Sequence, residues 1–324
     1  VTRTPRAQHA RAVLGIALVA LIWGASFAAM KLTLKAGLSV GALLSFRFTL
    51  AAVCLGLATL AMKARGGRQD LRDGLLLGLI LSVIFWLQTD GLRYTSTSKS
   101  AFITGLYVIF TPMVSLAVGD RLRASHALGA LLAAAGLYFL VNEPGKPLGG
   151  WNFGDTETLI CAVLCGGHIS MTAHFSRRSN GWILATVQVA VVALVSWVMT
   201  PLIPAQALAD GTRLGGFQGS LQALARPGAW IPLLYLALLA TTLAFYLMST
   251  LQAHLGATEA AIIYSLEPVF GATLAVSALI PGIHEQMSGV QLLGGAVILA
   301  AMLLAELGPR LFGPKSGITE EVIG

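Results

Sequence analysis

The sequence predicts an all-α integral membrane protein, with ten transmembrane helices arranged as two inverted five-helix repeats. Three observations predict it. Of 324 residues, 56% are apolar and only 11% are charged, whereas a water-soluble domain carries about a quarter charged residues. The apolar residues gather into stretches of roughly 20, the length a helix needs to cross a bilayer. The chain also carries a matched pattern of prolines and glycines in its two halves. Disorder is excluded, because a disordered chain is poor in apolar residues. Ten such stretches also leave no room for a separate catalytic domain.

The spans fall at about residues 13–33, 40–62, 74–94, 98–118 and 125–142, then at 156–175, 182–203, 230–251, 258–280 and 288–307. An α-helix satisfies its own backbone within one segment, and these runs are too long and too evenly apolar for barrel strands. The first span follows Arg3, Arg6 and Arg11, but its apolar run exceeds a signal-peptide core and ends at Lys31 and Lys35 without a cleavage site, so it reads as a mature helix. The longest connection, Pro204 to Gly228, contains Gly219–Ala225, which predicts a short interfacial helix. The organisation that follows is an N-terminal tail (1–12), a first repeat (13–142), a linker (143–155), a second repeat (156–307) and a C-terminal tail (308–324).

The net charge of +7 points to basic membrane-facing loops rather than to nucleic acid. With the N-terminus cytoplasmic, the inside segments hold 13 Lys and Arg and the outside segments hold 7. That bias predicts a multi-pass protein of the inner (cytoplasmic) membrane with both termini cytoplasmic. Cys54, Cys161 and Cys165 all lie in apolar stretches, where an odd number indicates packing rather than disulfides.

The repeat shows in several places. Thr111-Pro112 stands near the middle of the fourth span and Glu267-Pro268 near the middle of the ninth. The fifth span opens with Leu128-Gly129 and continues to Gly136; the tenth opens with Leu293-Gly294 and continues to Ala301. Asp120 and Glu285 each precede those first glycines by nine positions. Repeats of five crossings must be inverted, and paired interruptions at corresponding places mark secondary transporters. Pro112 and Pro268 are therefore the expected helix breaks.

The chain resembles the drug/metabolite transporter superfamily, in particular its EamA family of permeases. The residues that carry this are Trp23-Gly24-Ala25-Ser26-Phe27, Arg47-Phe48, Gly91-Leu-Arg-Tyr94-Thr-Ser96, and Ser100 to Tyr107 with Thr104-Gly105 between them. In the second half they are Ser265-Leu266-Glu267-Pro268-Val269 and the helix of Gly294. The resemblance covers roughly residues 12–307. It implies two inverted five-helix halves around a central cavity, with export of small metabolites, amino acids or drug-like compounds, driven in many members by protons. The chain departs from the pattern in having Thr111 where the second half has Glu267, and in the inserted Pro281-Gly282.

Glu267 is the expected proton-coupling residue, since an ionisable side chain near mid-membrane is costly and faces a cavity or a partner. Its competing role is to satisfy backbone freed by Pro268. Arg47 either holds a substrate carboxylate or snorkels to the outer interface. Asp90 and Arg93, three apart, are expected to pair locally, with Gln88 facing elsewhere. The expected cavity wall is Trp23, Ser26, Arg47, Trp86, Thr104, Tyr107, His168, Thr242, Tyr246 and Tyr264, an aromatic and hydroxyl set suited to a small solute. His168 shares a helix face with Cys161 and Cys165, yet three ligands without a second cluster do not make a metal site. Gly74 and Gly78 form a small-residue packing pair.

No phosphate loop, protease metal helix or nucleophile–base–acid set is present in the sequence. The expected function is thus a secondary transporter working by alternating access, with a small solute and H+ as partners and the lipid bilayer around it. Neither a cofactor nor nucleic acid is called for, and a monomer or homodimer suffices. A lipid or nucleotide-sugar exchanger is the alternative, with an integral membrane enzyme further behind.

Overall fold

The computed structural model describes residues 6–115, 124–141, 150–202, 207, 211, 216–225, 227–255, 260, 263–277 and 279–311. Asp120, the basic residues Arg3, Arg121, Arg123, Lys146, Arg213, Arg226 and Lys315, the start of the expected ninth span and the tail after Gly313 lie outside them. The described residues are helical, with no β-strand. The helices are α1 (Arg6–Lys35), α2 (Val40–Ala61), α3 (Arg68–Gly91), α4 (Thr97–Gly105), α5 (Tyr107–Ser115), α6 (Ala124–Val141), α7 (Phe153–Phe175), α8 (Gly181–Met199) and α9 (Phe217–Ala223). They continue as α10 (Pro227–Leu234), a π-helical stretch Tyr235–Leu243, α11 (Ala244–Leu251), α12 (Glu267–Val276) and α13 (Gly289–Leu311). Among the described residues, five helical runs are long and apolar enough to cross a membrane: Ala7–Lys35, Val40–Ala61, Phe153–Phe175, Gly181–Leu202 and Gly228–His254. The chain is a multi-pass membrane protein.

The long helices have a buried and an exposed side, whereas α4 is buried all round. On α1, Ala12, Ile16, Val19 and Ala20 are buried, while Leu14, Leu18 and Leu21 are exposed. An exposed leucine costs nothing in hydrocarbon, so burial alone does not hold the helices together; close backbone approach at small residues does. A Cβ on Gly74 would lie 2.7 Å from Val187 Cβ, and one on Gly78 would lie 2.6 Å from Val191 Cβ, so these two glycines seat α3 on α8. Gly136 and Gly294 do the same for α6 and α13, where a Cβ on Gly136 would lie 2.8 Å from Gly294 O. The ends are capped locally. Ser39 accepts from the Ala42 N–H, Ser96 from Lys99, Asn152 from Asp155 and Asn180 from Trp182. Gly37, at φ +104°, ends α1 in the left-handed region.

The structure corrects three sequence expectations. The fourth span is broken at Leu106, between α4 and α5, and Pro112 lies inside α5. Pro112 lacks the N–H that would bond the Val108 carbonyl, within α5, so the break at Leu106 is not at the proline's own missing bond. Glu267-Pro268 is not mid-helix either: it forms the first turn of α12, where a missing N–H costs no helical bond. The eighth span is also irregular, because Tyr235–Leu243 winds as wider turns with five-residue spacing. The hydroxyls of Thr241 and Thr242 donate to the carbonyls five residues back, Leu236 and Ala237.

Candidate functional site

A cavity of about 60 Å³ lies where α1, α2, α3, α4, α5, α7, α11 and α12 converge. From α1 come Trp23 and Ser26, from α2 Arg47, and from α3 the stripe Leu81, Ile84, Phe85 and Gln88. Thr104 and Tyr107 flank the break at Leu106; Cys165, His168 and Ile169 come from α7; Phe245 and Met248 from α11; Glu267 from α12.

The acidic end is built around Glu267, which is 5% exposed. The Tyr107 hydroxyl donates to its Oε2 over 2.8 Å and also lies 3.1 Å from the Tyr264 carbonyl. The first turn of α12 sits directly on α1 at Gly24. A Cβ there would stand 2.8 Å from the Glu267 carbonyl oxygen and 2.9 Å from Gly271 N. Glycine at position 24 thus sets how closely Glu267 approaches Trp23 and Ser26. Trp23 stacks on Tyr264 at 5.7 Å with an 18° interplanar angle, and its Nε1 donates to Ala240 O in the π-helical stretch.

The basic end is Arg47, 1% exposed. Its Nε donates to Thr241 Oγ1 at 2.8 Å and its Nη1 to Met30 Sδ at 3.5 Å, while its guanidinium lies 4.6 Å from the Phe85 ring centre. Among the described residues it has no carboxylate partner. A third polar group is His168, whose Nε2 lies 3.0 Å from Gln188 Oε1; Gln188 in turn donates from Nε2 to Ser249 Oγ. With the amide so oriented, His168 carries its proton on Nε2 and turns an accepting Nδ1 away from Gln188. The Thr104 hydroxyl lines the same space without a hydrogen-bond partner among the described residues.

Of the wall expected from sequence, the cavity brings together Trp23, Ser26, Arg47, Thr104, Tyr107 and His168 with Glu267. Trp86, Thr242, Tyr246 and Tyr264 are not among its lining residues. Trp86 falls off the 81/84/85/88 stripe of α3 and packs into the apolar core. Tyr246 packs against Trp182 with ring centres 4.1 Å apart and planes tilted by 32°, and Tyr264 stacks on Trp23. Gln88 faces the cavity, contrary to expectation: it is one turn beyond Phe85 and Ile84 on the same face. Thr241, the acceptor for Arg47, has no signal in a 3.6-residue reading, because the π-helical turns change the phase. Asp90 and Arg93 do pair, Oδ1 to Nη1 at 2.5 Å, and lie outside the cavity. Cys161 and Cys165 sulfurs are 3.8 Å apart. Among the described residues no group of three or more His, Cys, Asp or Glu is close enough to hold a metal ion.

The two faces of the helix bundle are tied differently. On the face of residues 91–99, Lys31 Nζ donates to Leu92 O and Thr95 O at 2.6 and 2.9 Å, and Lys99 pairs with Asp155 at 2.6 Å. Glu285 accepts from the Thr97 and Ser98 N–H groups at 2.5 and 2.8 Å, so it caps α4 from the α12–α13 connection. The α3 and α7 backbones cross here, with a Cβ on Gly91 meeting Gly154 O at 2.7 Å. On the opposite face, Arg178 holds Asp73 at 2.9 and 2.7 Å and Ser179 adds a bond of 2.9 Å. Burial opposes ionisation of Asp73, but the hydrogen bonds from Arg178 and Ser179 outweigh it and hold the carboxyl below the ordinary range.

A multi-pass helical bundle that encloses a cavity lined by Glu267 and Arg47 fits a membrane transport protein. The comparisons agree. The model of the EamA-like transporter family matches this chain twice, at residues 10–142 and 154–307. An uncharacterized transporter of Archaeoglobus fulgidus is 32% identical over 295 residues, covering 91% of this chain and 85% of that protein. A crystal structure of another protein shares the fold at a TM-score of 0.64 and 20% identity, covering 93% of this chain and 98% of that one. This chain belongs to the EamA-like transporter family.

Proposed function

We propose that the protein is a proton-coupled secondary transporter that exports small carboxylate-bearing metabolites, amino acids among them, through the cavity between Arg47 and Glu267. One observation carries this reading: a buried guanidinium lines the cavity with no carboxylate partner among the described residues. Burying a charge without a counter-ion costs on the order of several kcal/mol. A bound carboxylate removes that cost through charge-assisted hydrogen bonds. The aromatic faces of Trp23, Phe85 and Phe245 provide an apolar surface for the rest of the solute.

Glu267 is the proton carrier in this scheme. It is buried, borders the same space, and has a tyrosine hydroxyl to hold its charged form. One proton crossing with the membrane potential releases about 2.3 kcal/mol per 100 mV, sufficient for a modest solute gradient. A cavity of about 60 Å³ admits only a few waters, so solute entry requires the surrounding helices to part.

Alternating access is best served by ten crossings in two inverted halves, with the fourth crossing formed by α4 and α5 and the eighth by α10 to α11. The double match of one family model supports this arrangement. So does the packing. If the first five crossings are exchanged with the last five, α1 on α12 maps to α7 on α4 and α5, and α2 on Tyr235–Leu243 maps to α8 on α3; all four contacts exist. Orientation with both termini inside the cytoplasm, in the inner membrane, follows the basic bias. Lys31, Arg93 and Lys99 on the outer side are internally bonded, whereas Arg65, Arg68, Arg72 and Arg177 are exposed on the inner side.

The test is a panel assay in proteoliposomes containing a pH-sensitive dye, with aromatic and aliphatic carboxylates, amino acids, their amides, nucleosides and organic cations. Carboxylate-dependent proton movement is the expected result. Movement of no solute, with the protein folded and correctly inserted, overturns the proposal.

A further inference from the structure

On the face that carries the Asp73–Arg178 pair lies a second cavity, of about 340 Å³, lined by Arg68, Gln69, Arg72, Asp73 and Arg178. Its charge is unbalanced. Asp73 is fully engaged by Arg178 and Ser179, which leaves Arg68 and Arg72 as two further guanidiniums over the same space. Neither forms an ion pair among the described residues. Both are exposed and stand one turn apart at the start of α3, where the helix dipole adds partial positive charge.

The same helix face continues away from the arginines as Leu75, Leu79 and Val83, which are 47%, 48% and 49% exposed. Leu75 follows Arg72 by three residues, and Leu79 and Val83 follow at steps of four, so arginines and apolar residues share one strip of helix face, basic at its end and apolar along its length. That strip has the shape of an amphiphile's partner. A soluble oxyanion would use the guanidiniums and leave the leucines idle.

We propose that this cavity binds the phosphate headgroup of an anionic phospholipid between Arg68, Arg72 and Arg178, with an acyl chain lying along Leu75, Leu79 and Val83. The site is separate from the Arg47–Glu267 cavity and does not depend on what that cavity transports. Arg178 is shared between Asp73 and the lipid, so headgroup binding also braces the link between α3 and the α7–α8 turn.

The test uses the purified full-length chain in detergent, with thermal unfolding and native mass spectrometry as readouts. Phosphatidylglycerol, phosphatidylcholine of the same chains, and inorganic phosphate are added in parallel to wild type and to Arg68→Gln/Arg72→Gln. Phosphatidylglycerol is expected to raise the wild-type unfolding temperature by several degrees and to survive as a bound adduct. The double variant should lose most of both effects, and phosphatidylcholine should produce neither. Arg68→Lys/Arg72→Lys, which keeps the charge, should retain much of the binding. If the glutamine variant does not fold, loss of the phosphatidylglycerol adduct from wild type on raising salt gives the same reading. An unchanged phosphatidylglycerol effect in the folded double variant overturns the proposal. So does an equal effect of phosphatidylcholine, or an adduct that salt does not weaken. Phosphate alone reproducing the whole shift would assign the cavity to a soluble oxyanion instead.

Discussion

The hydroxyl of Tyr107 donates to Glu267 Oε2 across 2.8 Å and so joins the second segment of the broken fourth span to the first turn of α12. Residues 160 positions apart share one buried hydrogen bond at the edge of the cavity. Because the two side chains act as a unit, their substitutions should not add. Tyr107→Phe is expected to slow proton-linked transport about tenfold, and Glu267→Gln to abolish it. Tyr107→Phe/Glu267→Gln should be no worse in folding or residual flux than Glu267→Gln alone. Paired transport and unfolding measurements on the three variants check this; additive losses would separate the two residues.

Arg47 gives a prediction in which stability and function move in opposite directions. Removing an uncompensated buried charge in favour of a flexible apolar side chain relieves desolvation, on the order of 1–4 kcal/mol where buried ions have been replaced. Arg47→Met should therefore unfold at a higher temperature than wild type while losing carboxylate binding. Arg47→Lys should restore little, because an ammonium cannot reproduce the fork that bonds Thr241 and faces Phe85. Thermal unfolding with and without a carboxylate ligand measures both effects.

Gly24 is a packing residue with a functional consequence. A methyl at this position would meet the Glu267 carbonyl oxygen and Phe270 Cβ at 2.8 Å each, so α1 and α12 must separate to accept it. Gly24→Ala should cost about 1–3 kcal/mol of stability, in the range of overpacked sites, and impair transport by displacing Glu267. At Gly56 nothing lies within 4 Å of a built Cβ, and Gly56→Ala should be neutral in both assays.

The Asp73–Arg178 pair fixes an acid dependence. The folded-state carboxyl sits below its ordinary value, so its contribution is fully present above the unfolded value, about 3.9. It is lost as pH falls through the lower folded value. Unfolding temperature should thus drop below about pH 4, and Asp73→Asn should be less stable at neutral pH with a flatter acid limb. A pH series of melting curves on the two proteins provides the check.

Much of this site was legible in the sequence because its chemistry is costly in a bilayer. Glu267 and Arg47 are ionisable groups inside apolar runs, and the spacing of Thr104 to Tyr107 and of Trp23 to Ser26 puts each pair on a face that lines the cavity. The misses share a physical cause: departures from 3.6-residue winding. The π-helical turns at Tyr235–Leu243 replaced Thr242 by Thr241 as the residue beside the cavity's arginine and left Tyr246 against Trp182. The break stands at Leu106, six residues before Pro112 and outside the bond to Val108 that the proline removes, so the proline does not mark it. Trp86 has the chemistry of a cavity wall, but the period of α3 turns Gln88 to the cavity instead. The role of Gly24 is not visible in the sequence, since it depends on α12, more than 240 residues away.

The most direct test of the central claim compares wild type with Glu267→Gln in matched proteoliposomes, following internal pH as a transported carboxylate is added. Solute-dependent proton flux in wild type, absent in a folded and correctly inserted Glu267→Gln protein, is the predicted result. Equal flux in both proteins would contradict it and take Glu267 out of the coupling mechanism.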